Sequence, residues 1–112
     1  MKVRKVFLLE SDPLMFKAWE VTLRESSWQL YALDREEDFN FRVEEFGPDL
    51  VVISDQVSLA SLQLDTQIPV VLLGPLSEEA KGSGISLNLE KPLDINRLEN
   101  ILDDLFTQIS KN

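Results

Sequence analysis

The sequence predicts an α/β fold: a five-stranded parallel sheet with helices on both faces. Three observations carry that expectation. The stretch Pro48-Asp49-Leu50-Val51-Val52-Ile53-Ser54-Asp55 sets four consecutive aliphatic residues between a Gly47-Pro48 break and a polar tail. That is the pattern of a strand buried on both faces. Pro69-Val70-Val71-Leu72-Leu73, stopped by Gly74-Pro75, repeats it. Strand-like and helix-like segments then alternate along the whole chain with connections of a few residues, as a parallel sheet with crossover helices requires.

Taken in order, Lys5 to Leu9 reads as the first strand, apolar from Val6 onward and ending at Glu10-Ser11. Asp12-Pro13 starts a helix, with Asp12 as N-cap and Pro13 in the first turn. Met15, Ala18, Trp19, Thr22 and Leu23 recur along it at helical spacing until Ser26-Ser27. Trp28 to Leu33 is the second strand. Asp34 is placed to cap the next helix, in which Phe39, Val43 and Phe46 recur, with Gly47 at the C-cap and Pro48 preventing continuation. After the central strand, Val57 to Leu64 gives a short third helix. Ser77 to Ala80 offers a single turn as a fourth, because Gly82 and Gly84 oppose a longer one. Ile85 to Leu89 is the fifth strand. Asp94 caps the last helix, whose apolar stripe is Ile95, Leu98, Leu102, Leu105 and Ile109.

The chain of 112 residues suits one domain, spanning 1–112, without repeat, linker or low-complexity segment. No apolar run approaches the roughly 20 residues that span a bilayer, and Val6 to Leu9 is too short for a signal-peptide core. No membrane association is expected, and the expected compartment is the cytoplasm. Without cysteine or histidine there is no disulfide framework, no thiolate chemistry and no imidazole base or zinc ligand. A net charge of −9 argues against a nucleic-acid surface.

Four landmarks in order resemble bacterial response-regulator receiver domains: the acidic cluster Leu9-Glu10-Ser11-Asp12-Pro13, the run Pro48-Asp49-Leu50-Val51-Val52-Ile53, the run Pro69-Val70-Val71-Leu72-Leu73, and Lys91-Pro92 before a helix opened by Asp94. The resemblance spans essentially the whole chain. It implies a doubly wound, flavodoxin-like strand order and a role in two-component signalling. It also implies a site made of an acid pair for Mg²⁺, a phosphoacceptor aspartate, a hydroxyl after the fourth strand and a lysine. Matched residue by residue, Glu10 takes the first acid position and Ser11 the second. Ser54 falls on the phosphoacceptor, Gly74 replaces the hydroxyl, and Lys91 matches the lysine.

The expected site is therefore degenerate. Mg²⁺ is held by carboxylates with waters or phosphates, and Glu10 with neutral hydroxyls supplies little of that charge. A serine is a poor nucleophile without an activating base, and Gly74 has no hydroxyl. No cofactor and no enzymatic activity are expected. The expected function is a pseudo-receiver acting through phosphorylation-independent contact with protein partners, through the last strand and last helix. Leu76, Leu93 and Phe106 are contact candidates there. Lys91 could pair with Glu10 across the strand ends.

One alternative is a working phosphoreceiver with Asp55 as acceptor and Mg²⁺ on Glu10 and Asp12. A one-residue slip of the strand would be needed, and that turns the side chain to the other face. Another is a small α/β enzyme or nucleotide-binding module, against which no Gly-rich loop follows the first strand. The chain ends Ser110-Lys111-Asn112 directly after the last helix, with no output domain in view. Nothing in the sequence names a partner or an oligomeric state.

Overall fold

A computed structural model describes residues 4–55, 62, 67–75, 85, 87–89 and 94–110. Five parallel strands form one sheet: β1 (Arg4–Leu9), β2 (Trp28–Leu33), β3 (Leu50–Ser54), β4 (Val70–Leu73) and β5 (Leu87–Leu89), in the order β2-β1-β3-β4-β5. This is the doubly wound, flavodoxin-like order. The described helices are α1 (Pro13–Leu23), α2 (Phe39–Phe46) and a C-terminal helix (Leu98–Ser110) opened by a 3₁₀ turn, Ile95–Arg97. None is long and apolar enough to cross a membrane. The segments expected to hold the short third helix and the single fourth turn lie outside the described residues, except Leu62.

Side chains alternate across the sheet, so each inner strand feeds two cores. Val6, Leu8, Leu50, Val52, Val71 and Leu73 face α1 and the C-terminal helix, which bring in Trp19, Leu23, Leu98, Leu102 and Leu105. Phe7, Leu9, Val51, Ile53, Val70 and Leu72 face α2, which brings in Phe39. Every residue of β3 and β4 is buried. The continuous aliphatic runs exist because there is no wet face for a polar residue to occupy.

The caps follow the sequence at three helix ends. Asp12 accepts from the Leu14 N–H at 3.0 Å, with Pro13 opening α1. Gly47 closes α2 at φ 65°, its N–H donating to the Val43 carbonyl at 3.0 Å. Asp94 accepts from the Asn96 N–H at 3.1 Å. The start of α2 differs from expectation. Asp34 does not cap it; it is exposed and pairs with Arg35 at 3.3 Å. The chain turns through residues 34–38, and the helix begins at Phe39 after Asp38 in the left-handed region at φ 65°. Aspartate tolerates that region better than most residues, and the delay lets Phe39 pack edge-on against Phe7 at 5.4 Å. β5 is also shorter than expected, three residues rather than Ile85 to Leu89.

The C-terminal helix is fastened to the far edge of the sheet. The Trp28 indole N–H donates to Asp103 Oδ1 at 2.8 Å, and Arg4 pairs with the same oxygen at 3.3 Å. The Arg4 guanidinium also lies 4.9 Å from the Phe106 ring centroid. The ion pair is half-exposed and adds little alone; the ring contacts and indole bond give it a fixed geometry. Phe106 is thus half-buried in this cluster, while the other contact candidates, Leu76 and Leu93, lie outside the described residues.

Leu102 is 1% exposed at the centre of the first core. Leu102→Ala is expected to cost about 2–5 kcal/mol in urea unfolding, whereas Leu14→Ala, at a residue 82% exposed, should stay within about 0.5 kcal/mol.

Candidate functional site

In an open parallel sheet, ligands gather beyond the carboxyl ends of the strands. Here that rim is formed by Glu10 after β1, Ser54 and Asp55 at the end of β3, and Gly74 after β4. The register of β1 with β3 runs without interruption from Val6↔Leu50 to Leu9↔Ile53, which sets Glu10 opposite Ser54. The register of β3 with β4 pairs Ser54 with Leu73 and leads Asp55 to Gly74. By alternation, Glu10 and Ser54 continue the face of Val52 and Leu73; Asp55 and Gly74 follow the ends of β3 and β4. β3 pairs with β1 and β4 without a bulge as far as Ser54, and Asp55 follows in the turn.

Glu10 and Ser54 are both 0% exposed. One carboxylate oxygen of Glu10 accepts from the Asp12 N–H at 3.2 Å; the other, Oε1, is buried without a hydrogen-bond partner among the described residues. Asp12 commits its Oδ1 to the first turn of α1. Ser11 is exposed. Lys91 lies outside the described residues, and so does any ion pair it makes with Glu10.

Gly74 carries information that sequence reasoning missed. Its φ of 114° lies in a region that residues with a side chain rarely adopt, and a Cβ built there collides with the carboxyl group of Asp55. The Asp55 carboxyl therefore occupies the space that any side chain at position 74 would need. Gly74 is further held by its N–H donating to the Leu89 carbonyl at 2.7 Å, and by the Asn88 side-chain amide donating to its carbonyl. Asn88, a poor strand former between two leucines, is the one sequence signal that pointed here.

The resemblance to receiver domains implies a Mg²⁺ site at this rim. Among the described residues no three acids, histidines or cysteines come together as a ligand set. Glu10 and Asp12 each spend an oxygen on a backbone N–H. Octahedral oxygen ligation needs more convergent donors than this.

Solved structures similar to this chain share one architecture. A receiver domain of a response regulator from Methylobacillus flagellatus is 21% identical, with 93% of this chain and 99% of that one covered and a TM-score of 0.71. An orphan response regulator of H. pylori is 21% identical over 92% and 96% of the two chains, with a TM-score of 0.71. The fold is that of a response-regulator receiver domain. The N-terminal domain of the nisin resistance regulator, a lantibiotic response regulator, is 18% identical over 94% and 99%, with a TM-score of 0.73. No protein-family model matches the sequence, and no curated protein matches it.

Gly74→Ala adds a Cβ where the Asp55 carboxyl sits, at a positive φ. It is expected to destabilise by more than about 2 kcal/mol in urea unfolding. Gly47→Ala also meets a positive φ but has no atom within 4 Å of the new Cβ, so its cost should be about 1 kcal/mol.

Proposed function

We infer that this chain is a receiver-like signalling domain that works by protein–protein contact and does not take up phosphate. The observation that carries this is the packing of Asp55 against Gly74. A receiver, as the resemblance implies, moves a hydroxyl side chain after its fourth strand toward the phosphoryl group; here that side chain is absent and its space is taken. Ser54 adds support. It stands in register with Glu10 at the acceptor position, is sealed from solvent, and has no histidine anywhere in the chain to activate it.

Without a phosphoryl ligand to favour one state over another, the domain has no phosphorylation-driven population shift. Its role is that of a non-enzymatic, cytoplasmic pseudo-receiver holding one conformation for a protein partner. The last strand and the C-terminal helix are the proposed contact face. The alternative of a phosphoreceiver using Asp55 draws on one feature, the buried Oε1 of Glu10, unpartnered among the described residues, which a cation would satisfy.

An NMR titration separates the two. With millimolar Mg²⁺ and then beryllofluoride added to labelled protein, the amides of Glu10, Ser54, Asp55 and Gly74 are expected to remain unmoved. Saturable shifts there, spreading to the C-terminal helix, would replace this proposal with a phosphorylation switch.

A further inference from the structure

The middle residue of β5 is an asparagine, which strands disfavour. Leu87 and Leu89 on either side pack against the first core. Asn88 therefore turns to the opposite face of the sheet, in register with Leu72 of β4. It is exposed there, yet its amide nitrogen is engaged with the protein. It donates to the Leu72 carbonyl at 3.4 Å and to the Gly74 carbonyl. The Gly74 N–H donates in turn to the Leu89 carbonyl at 2.7 Å. Both backbone polar groups of Gly74 are thus held by adjacent residues of β5. Turning Gly74 away from its φ of 114° breaks at least one of these bonds.

Asp55 depends on that conformation. Its N–H donates to the Leu73 carbonyl at 2.8 Å, which fixes its backbone beside Gly74. Its carboxyl group fills the space where a Cβ on Gly74 would lie. Three strand ends are therefore tied in sequence, from Asn88 after Leu87, through Gly74, to Asp55.

We propose that Asn88 is a latch: from the exposed face of β5 it holds the end of β4 in the conformation that seats Asp55. The latch is read from the hydrogen bonds; its use rests on the proposed function, in which the last strand belongs to the contact face. The single conformation assigned to the domain is kept by this side chain. A partner group that accepts from the Asn88 amide releases the Gly74 carbonyl and with it the Asp55 seat. Contact at β5 and the state of the rim are then linked, and the linkage runs in both directions.

Urea unfolding and NMR of the full chain test the latch. Asn88→Val removes the donor and places a strong strand former at an exposed strand position. If Asn88 served the strand alone, this change would stabilise the protein. With the latch, the unfolding equilibrium constant should rise about fivefold, and the Asp55 and Gly74 amides should shift while those of β2 stay in place. Gly74→Ala should raise that constant more than about thirtyfold in the unaltered chain. In the Asn88→Val protein it should raise it less than about tenfold, because the freed backbone can leave the positive φ. Asp55→Ala alone should shift the Asn88 side-chain NH₂ resonances, although β4 separates the two strands. A stabilising Asn88→Val, or equal Gly74→Ala effects in both backgrounds, would overturn the latch. Rim amides that respond to Mg²⁺ would instead overturn the proposed function and leave the latch standing.

Discussion

Burial of the inner strands on both faces is the constraint from which the other placements follow. β1, β3 and β4 contribute side chains to two cores at once, so a slip of one residue would exchange the two faces of a strand. Their register is accordingly unbroken, and the carboxyl-end rim inherits it. Glu10 stands opposite Ser54, and Asp55 leads to Gly74, because Val6 stands opposite Leu50 and Val51 opposite Val70. The geometry of the candidate site is a consequence of core packing some residues earlier along each strand.

Within that frame the rim is divided by the sheet itself. The acid after β1 is buried and the acid after β3 is exposed, and at the β4 end a glycine leaves room for the Asp55 carboxyl. Asn88 reaches back from β5 to hold the Gly74 carbonyl, and Leu89 of the same strand holds its N–H, so the backbone conformation that admits Asp55 is supported from β5. Under the proposed function this arrangement holds one conformation. It contrasts with a switch, which needs two arrangements of comparable energy and a ligand that distinguishes them.

Much of this was legible in the sequence because the signals were backbone-level. Gly47-Pro48 and Gly74-Pro75 bracket the buried runs, Asp12-Pro13 and Asp94 mark helix starts, and Leu98, Leu102 and Leu105 give a clean helical stripe. The onset of α2 was misplaced because Asp34 has the right chemistry for a cap, and only the tertiary position of Phe39 against Phe7 decides where the helix begins. Gly74 was legible as a missing hydroxyl and illegible as a seat for Asp55, since that contact joins two strands in space and depends on a φ that no neighbouring residue announces.

The fastening of Arg4 and Trp28 to Asp103 joins residues 99 and 75 positions apart. It also joins the first strand of the sheet to the last described helix. β1 lies inside the sheet, between a strand that follows it closely and one that arrives much later, and one of its faces stays open until the C-terminal helix is available to cover it. Until that helix is made, β1 shows an apolar face to solvent, and closure of this core waits on residues about ninety positions further along the chain than the strand they cover.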